Sequence, residues 1–258
     1  MNIVFLGTPG FVLPIRDELA KHFTLVDSLD QADLGVVAAY GKILTKDELE
    51  TPKFGCINVH PSLLPKDRGP SPIQQAILNG DKVSGITIIK MDDRVDHGPI
   101  IYQESLGLSD IDNFDTLSKK MFQRSAEILP KIIKDFSTGR MKTIPQNHNQ
   151  ATYCDKLTRE SGYFAIDHPP SPDKLDKMIR AYYPWPGVWT KWQGKIVKFL
   201  PSSSHPERSE GSLTNVSSNE LRDSSLVAQN DKFLLQMEGK KPVSKKDFLN
   251  GYPNFPFF

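Results

Sequence analysis

The stretch GCINVHPSLLPKDRGPSPIQQAILNG, residues 55–80, contains a strand, a loop and a helix in immediate succession. Its start, GCINV at 55–59, is a short apolar run of the kind found in buried parallel strands. A histidine, a Pro-Gly-rich turn and one arginine follow, and then residues 72–78 show a helical pattern that Asn79 and Gly80 end. Binding loops of α/β sheets lie at the carboxyl ends of the strands, so this loop is expected at such an edge.

The same alternation of apolar strands and amphipathic helices runs through the first half of the chain. Predicted strands lie at 2–6, 34–39, 55–59, 85–91 and 98–105, and predicted helices at 11–22, from Thr45 onward, at 72–78 and at 115–136. Strands that alternate with helices indicate an α/β fold, here a Rossmann-like, mostly parallel sheet with flanking helices.

The second half of the chain has a different texture. A polar, extended stretch is followed by a helix at 172–180, the aromatic run YYPWPGVWTKW and short strands at 196–200 and 232–236, which is typical of a small β domain that is barrel-like, or OB-like. Nine of the 24 residues at 202–225 are serine, which indicates a flexible insertion. These changes predict a domain at 1–150, a linker and helix at 151–186, and a small β domain at 187–258.

Composition excludes several classes of protein. Lys and Arg number 32 against 31 for Asp and Glu, so no global field attracts nucleic acid or membranes, and a polyanion would need a local patch. Cys56 and Cys154 lie far apart without a metal-binding motif, which predicts neither a disulfide nor a zinc site and fits a reducing cytosol. No apolar run of about 18 residues occurs, so no membrane span is expected.

Asn58 and His60 stand two residues apart at the end of a predicted strand. Such residues point to the same face of a sheet, so both side chains are expected above one spot at its edge. The asparagine supplies an amide donor and the histidine a base suited to neutral pH. The pair is equally compatible with an asparagine that caps a turn and a histidine satisfied at the surface.

Asp96 lies in DRVDHGPI, in the turn between the predicted strands 85–91 and 98–105. Gly98 and Pro99 allow the backbone to bend tightly against a ligand. A carboxylate near His60 would favour the protonated imidazole and could pass a proton through water. Taken alone, this fragment also fits an ordinary turn.

Two further features have alternative interpretations. Arg68 either supports the fold of its own loop, as the adjacent Gly69 and Pro70 favour, or extends toward RNA phosphate. The aromatic cluster of Tyr183, Trp185, Trp189 and Trp192 is either core at a domain junction or a base-stacking platform.

Taken together, the fragments resemble the bacterial methionyl-tRNA formyltransferases. The fragments that carry the resemblance are IVFLGTP, AAYGKIL, NVHPSLLPKDRGPSPIQQAILNG, GITIIKMDDRVDHGPI, ATYCDKLTRE, IRAYYPWPGVWTKW and EGKKPVSKKDFLNGYP. The similarity covers most of the chain outside 22–33 and the serine-rich stretch. The pattern of asparagine, histidine, SLLP and a later aspartate is shared by folate-dependent formyltransferases, whereas the tail motifs are more specific to the tRNA enzyme.

The resemblance implies transfer of the formyl group of 10-formyltetrahydrofolate to the α-amine of methionyl-initiator tRNA, without a metal. It implies that Asn58 donates a hydrogen bond to the oxyanion of the tetrahedral intermediate, a role worth about 3 kcal/mol. His60 would help to take the proton from the amine, and Asp96 would set the charge of His60 and relay protons through water.

The resemblance also assigns the folate contacts and the partners. The residues implied to contact or enclose the folate are Ser62, Leu63, Leu64, Pro65, Ala39, Tyr40, Gly41, Ile43, Leu44, Met91 and Val95. The implied partners are folate and initiator tRNA with no membrane, and the protein is expected to be a cytoplasmic monomer.

The chain departs from the family pattern in two places. Family members have a strand, a basic loop, a helix and another strand where this chain passes through HFTLVDSLDQAD, residues 22–33. A parallel crossover alone needs a dozen or more residues, so the sheet is expected to be truncated at one edge and the basic loop to be missing. His97, where the family usually has threonine, is expected either to perturb Asp96 or to face solvent.

Two other functions remain open at the level of sequence. One is a formyltransferase that acts on a small amine, such as an amino sugar nucleotide or glycinamide ribonucleotide, although PWPGVW and DFLNGY argue against it. The other is a non-catalytic folate-binding remnant, which the shortened segment suggests and the intact Asn58, His60 and Asp96 argue against.

Overall fold

The computed structural model of the chain describes residues 1–202 and 233–256. The chain divides into two compact units, Met1–Leu157 and Thr158–Phe258. Apart from Ser202, the predicted insertion at 202–225 lies outside the described residues. The domain limits at 150 and 186 that the composition suggests stay predictions.

The first unit is built on a six-stranded sheet. Its strands are β1 (Asn2–Leu6), β2 (Thr24–Val26), β3 (Leu34–Val37), β4 (Cys56–His60), β5 (Val83–Lys90) and β6 (Ile100–Gly107), in the order β2-β1-β3-β4-β5-β6. The pairs among β2, β1, β3 and β4 are parallel, whereas β5 pairs antiparallel with both β4 and β6. The predicted mostly parallel α/β sheet is therefore confirmed.

Helices of the first unit begin and end at residues suited to those positions. They are α1 (Leu13–His22), α2 (Lys46–Glu50), α3 (Pro72–Asn79) and α4 (Phe114–Ser137). In α3 a proline occupies the first turn, where its missing N–H costs nothing, and Gly80 ends the helix in the left-handed conformation at φ 72°. A capping box between Asn113 and Thr116 starts α4. The apolar stripe of this helix is buried against the other elements of the first unit.

The shortened segment between α1 and β3 forms the edge of the sheet. Thr24–Val26 pairs in parallel with Asn2, Ile3 and Val4, and a single 3-10 turn at Leu29–Gln31 leads back to β3. The edge is thus reduced to a three-residue strand, which covers the flank of β1. So short an edge strand offers few free backbone groups to another chain.

The second unit contains a small antiparallel sheet. Its elements are α5 (Pro172–Tyr182), β7 (Val188–Trp192), β8 (Lys195–Pro201), β9 (Phe233–Met237) and α6 (Lys245–Gly251). The described strands pair in the order β7-β8-β9, which confirms a small β unit at this end of the chain. The aromatic cluster is core only in part. Trp189 is 8% exposed and belongs to the core, whereas Trp185 is 55% exposed.

Within residues 1–202 and 233–256, we find no helix with the length and apolar character that crossing a membrane requires.

Candidate active site

Asn58, His60 and Asp96 meet at the carboxyl end of β4. Asn58 and His60 lie on this strand with their side chains on one face, and Asp96 lies in the turn between β5 and β6. Asn58 Nδ2 donates to Asp96 Oδ1 at 3.0 Å, and His60 Nδ1 lies 3.5 Å from the same oxygen. The imidazole and the carboxylate side chains are only 5% and 11% exposed, so they interact in a largely dry environment.

The Asp96 carboxylate is held from a second side by the loop after β4. Its Oδ2 accepts a hydrogen bond from the Gly69 amide at 2.8 Å, while Oδ1 faces Asn58 and His60. The Asp96 backbone is left-handed, at φ 48°, which is costly for a residue with a side chain. The surrounding contacts therefore stabilise a conformation that the residue would not favour by itself.

Hydrogen bonding determines which nitrogen of His60 is available for proton transfer. Its Nε2 lies 2.9 Å from the carbonyl oxygen of Asp67, and a carbonyl only accepts, so Nε2 carries a hydrogen and donates. Nδ1 is then the nitrogen that gains or loses a proton, and it faces Asp96. Burial raises the pKa of the neighbouring Asp67 carboxyl group, which is 4% exposed.

The SLLP loop at 62–65 is anchored to the sheet by its main chain. Thr87 Oγ1 donates to the Ser62 carbonyl at 2.6 Å and accepts from the Leu64 amide at 3.1 Å, and Gln103 donates to the Leu64 carbonyl at 2.9 Å. Ser62 and Leu64 are almost wholly buried, main chain included, at 1% and 2% exposure. A ligand at this loop would therefore touch Leu63 and Pro65, which are half-buried, rather than Ser62 or Leu64.

The other predicted folate contacts lie at the ends of β3 and β5. Leu44 is buried in a cluster with Val37, Leu49 and Cys56, against which Tyr40 and Met91 pack. Ala39 follows β3 in the left-handed conformation at φ 46°, and Gly41 follows at φ 77°. Ile43 and Val95 are 88% and 57% exposed, so they offer apolar surface to a ligand.

A separate cavity lies on the side of α2. Its volume is about 470 Å³, and it is lined by residues that include Lys53, Phe54, Lys90 and Met91. Asn58, His60 and Asp96 do not line it. The lining combines lysines with Glu50, Asp92 and Asp93, so no single sign of charge dominates it.

The segment Ile144–Asp155, which we name the tie segment, crosses the loops of the site. Ile144 pairs with Ile100, and Arg68 pairs with Tyr153 in an isolated bridge. Gln146 Nε2 donates to the carbonyl oxygens of Asp96 at 2.9 Å and Gly98 at 2.7 Å. The sequence predicted only a polar, extended stretch here, and no spacing within it indicated that it would contact Asp96.

Arg68 belongs to the interior of the site. It is 2% exposed, and its Nη2 lies 2.6 Å from Gln146 Oε1 and 2.8 Å from His148 Nδ1. This geometry supports the interpretation that Arg68 shapes its loop. His97, adjacent to Asp96, stacks on His148 with ring centroids 4.0 Å apart and lies 2.7 Å from Asp92 Oδ2.

The described residues give no indication of a metal centre. Among them, no group of three or more His, Cys, Asp or Glu side chains is arranged to hold an ion. Cys56 and Cys154 are buried free thiols, and burial raises the pKa of Cys56 to about 11. Asn58, His60 and Asp96 place an amide donor, an imidazole and a carboxylate around one point, which can stabilise an oxyanion and transfer a proton.

Comparison with known families identifies similar sequences for both units. The family described as formyl transferase matches residues 16–133, and the family described as formyl transferase, C-terminal domain, matches residues 161–253. The methionyl-tRNA formyltransferase of Roseiflexus castenholzii is 37% identical over 227 residues, which cover 85% of this chain and 70% of the relative. That of Halalkalibacterium halodurans is 38% identical over 247 residues, covering 92% and 74%.

Solved structures share the fold at low sequence identity. The methionyl-tRNA formyltransferase from Clostridium thermocellum matches with a TM-score of 0.63 and 19% identity, covering 95% of this chain and 99% of that one. HypX from Aquifex aeolicus in complex with tetrahydrofolic acid matches with a TM-score of 0.68 and 15% identity, covering 98% of this chain and 47% of HypX.

Proposed function

This chain belongs to the methionyl-tRNA formyltransferase family, and we propose that it transfers the formyl group of 10-formyltetrahydrofolate to the α-amine of methionyl-initiator tRNA. The observation that supports this most directly is the meeting of Asn58, His60 and Asp96 at the carboxyl end of β4. These side chains match what acyl transfer to an amine requires: an oxyanion donor and a group that takes a proton.

The proposed reaction begins with the neutral amine of methionine, which attacks the formyl carbon. As the carbon becomes tetrahedral, its oxygen gains negative charge, and the Asn58 amide donates to that oxygen. An amide nitrogen carries two N–H groups, so one can bond the oxyanion while the other stays on Asp96 Oδ1 at 3.0 Å. The bond between carbon and N10 of the folate then breaks.

His60 and Asp96 are proposed to carry out the proton transfers of this reaction. The attacking nitrogen loses a proton when the carbon–nitrogen bond forms, and N10 of the folate gains one when it leaves. His60 Nδ1 and Asp96 Oδ1, 3.5 Å apart, form the pair proposed to accept the first proton and return it through water. The bond of His60 Nε2 to Asp67 keeps the ring in this orientation.

The folate is proposed to bind beside this triad. The exposed Ile43 and Val95 side chains would cover an aromatic ring, and the half-buried Leu63 and Pro65 of the SLLP loop would contact the ligand. Exposed apolar side chains and a loop that Thr87 anchors to the sheet fit a flat, partly apolar ligand.

We propose that recognition of the tRNA depends on local charges of this chain. The tRNA would bind without the basic loop that family members have, so its affinity depends on local charges elsewhere. We infer that the protein acts as a monomer in the cytoplasm, where two buried free cysteines remain reduced.

A formylation assay tests the proposed function. Purified protein is incubated with charged initiator tRNA and 10-formyltetrahydrofolate, and the aminoacyl product is analysed by mass spectrometry. We expect the mass increase of one formyl group. His60→Ala and Asn58→Ala should each lower kcat by roughly 100-fold or more, because each removes a group that acts on the transition state.

The matched controls are His168→Ala and Asn149→Ala, which replace exposed side chains of the same types that are not part of the triad. Both should retain wild-type kcat. Formylation of free amino sugars but not of the tRNA would contradict the proposed substrate, and wild-type turnover in His60→Ala would contradict the proposed role of the triad.

A further inference from the structure

The turn that carries Asp96 needs support from outside itself. Its left-handed backbone, at φ 48°, is unfavourable for an aspartate. Gly98, two residues later, lies so close to the Lys90 carbonyl oxygen that an added Cβ would collide with it. The turn is therefore tightly bent, and small changes in its path would move the Asp96 carboxylate away from Asn58 and His60.

Gln146 supplies a support that spans the turn. Its Nε2 donates to the Asp96 and Gly98 carbonyl oxygens at 2.9 and 2.7 Å, and its Oε1 accepts from Arg68 Nη2 at 2.6 Å. Only one orientation of the amide satisfies these partners, because the two carbonyls can only accept and the guanidinium can only donate. At 6% exposure, the side chain has little water to replace any of these bonds.

The loop that contains Arg68 holds the carboxylate of Asp96, whereas Gln146 holds its main chain. Arg68 is bonded to Gln146, and the next residue, Gly69, donates its amide to Asp96 Oδ2 at 2.8 Å. The main chain of Asp96 and its carboxylate are thus fixed by one connected set of residues, Gln146, Arg68 and Gly69. These residues are drawn from the tie segment and from the loop after β4.

We propose that Gln146 is a positioning residue for Asp96, which it places through two hydrogen bonds to the turn, with Arg68 setting the orientation of the Gln146 amide. This inference rests on the proposed function, in which Asp96 takes part in proton transfer. Gln146 itself would touch neither substrate. Its loss should therefore lower kcat and leave the KM for methionyl-tRNA nearly unchanged.

Two substitutions separate positioning from packing. Gln146→Glu keeps the size of the side chain and an oxygen for Arg68, but an oxygen replaces the N–H donors that face Asp96 and Gly98. Gln146→Leu removes both functions. The matched controls are Gln150→Glu and Gln150→Leu in the same tie segment, where the side chain is exposed.

Each variant is measured in the full-length protein by two methods. Steady-state formylation gives kcat and KM, and amide hydrogen exchange of Gly69, followed by NMR without substrate, reports the bond from Gly69 to Asp96. We expect Gln146→Glu to lower kcat about tenfold or more, to change KM less than about threefold, and to accelerate Gly69 exchange about tenfold. The Gln150 variants should match wild type in both measurements.

The two methods also separate this inference from the proposed function. Faster Gly69 exchange in Gln146→Glu, in a protein whose wild type does not formylate tRNA, would support the positioning of Asp96 and contradict the function. A Gln146→Glu variant with wild-type kcat and wild-type Gly69 exchange would overturn the inference. Should Gln146→Leu fail to fold, Gln146→Glu decides alone.

Discussion

His148 is a titratable residue in contact with Arg68, which helps to hold Asp96. Its ring stacks on His97, with planes 2° apart, and its Nδ1 faces Arg68 Nη2 at 2.8 Å. A guanidinium only donates, so Nδ1 accepts and the ring is neutral. Burial, followed by the nearby His97 and Arg68, lowers the pKa of His148; Arg94 acts in the same direction and Asp92 opposes it.

This lowered pKa predicts how stability depends on pH. In the unfolded chain His148 titrates near its ordinary value of about 6.5, so below that pH the unfolded state binds more protons than the folded state. The contribution is therefore fully present above the unfolded value and is lost as the pH falls through it toward the lower folded value. We expect the urea midpoint of wild type to fall more between pH 7.5 and pH 5 than that of His148→Gln, measured by circular dichroism.

Glutamine is the informative replacement because its amide oxygen accepts from Arg68 at every pH. His168→Gln, at an exposed histidine, serves as the control and should show the wild-type dependence. Equal pH dependence of the midpoint in wild type and His148→Gln would refute the prediction.

At the level of elements, the contact between β5 and the SLLP loop depends on Gly85. A Cβ added there would lie 2.5 Å from Leu63 Cδ2 and would also collide with the carbonyl oxygen of Glu104 on β6. Only a residue without a side chain lets the loop lie directly on the sheet. Through Leu63, the packing of one strand thus positions a loop that we propose contacts the folate.

Gly85→Ala should therefore destabilise the protein by about 1–3 kcal/mol, because overpacking forces the strand or the loop to shift. The KM for the formyl donor should rise as well, since Leu63 moves with the loop. Chemical unfolding and steady-state kinetics measure the two effects.

Gly107 on β6 provides a control of the same substitution. Among the residues that the structure describes, and apart from its two chain neighbours, no atom lies within 4 Å of a Cβ added there. We expect Gly107→Ala to change the free energy of unfolding by less than about 0.5 kcal/mol. A Gly85→Ala variant as stable as Gly107→Ala would contradict the account of this contact.

At the scale of the whole molecule, charge limits how the chain can attract RNA. The formal net charge is +1, so no long-range field of the molecule as a whole steers the tRNA. Binding must rely on a few local Lys and Arg side chains. The affinity of this protein for tRNA should therefore depend less on salt concentration than the affinity of a strongly basic RNA-binding protein does.

If a local patch neutralises about three phosphates of single-stranded RNA, the affinity should fall roughly twentyfold when the salt concentration rises fourfold. We expect the KM for methionyl-tRNA to rise by about that factor between about 50 and 200 mM KCl. The KM for the formyl donor, measured in the same series, should change much less. A rise of about a thousandfold for the tRNA would indicate many more phosphate contacts than we predict.

The sequence by itself determined the alternation of strands and helices and the common face of Asn58 and His60, because both follow from periodicities within a few residues. It also predicted that Asp96 lies in a turn, and the family resemblance implied that this turn lies beside the same face. What it left undecided was the segment 22–33, where three residues are too few for a recognisable strand pattern and only pairing with β1 defines β2.

Only the tertiary structure decided what holds Asp96. Gln146 lies 50 residues from Asp96 and 78 from Arg68 along the chain, and nothing in the local pattern of the tie segment distinguishes this glutamine from Gln150. Whether a polar side chain is buried and bonded or exposed depends on the path of segments far apart in sequence. Local spacing carries no information about that path, so it indicated the common face of Asn58 and His60, the family resemblance added Asp96, and neither indicated Gln146.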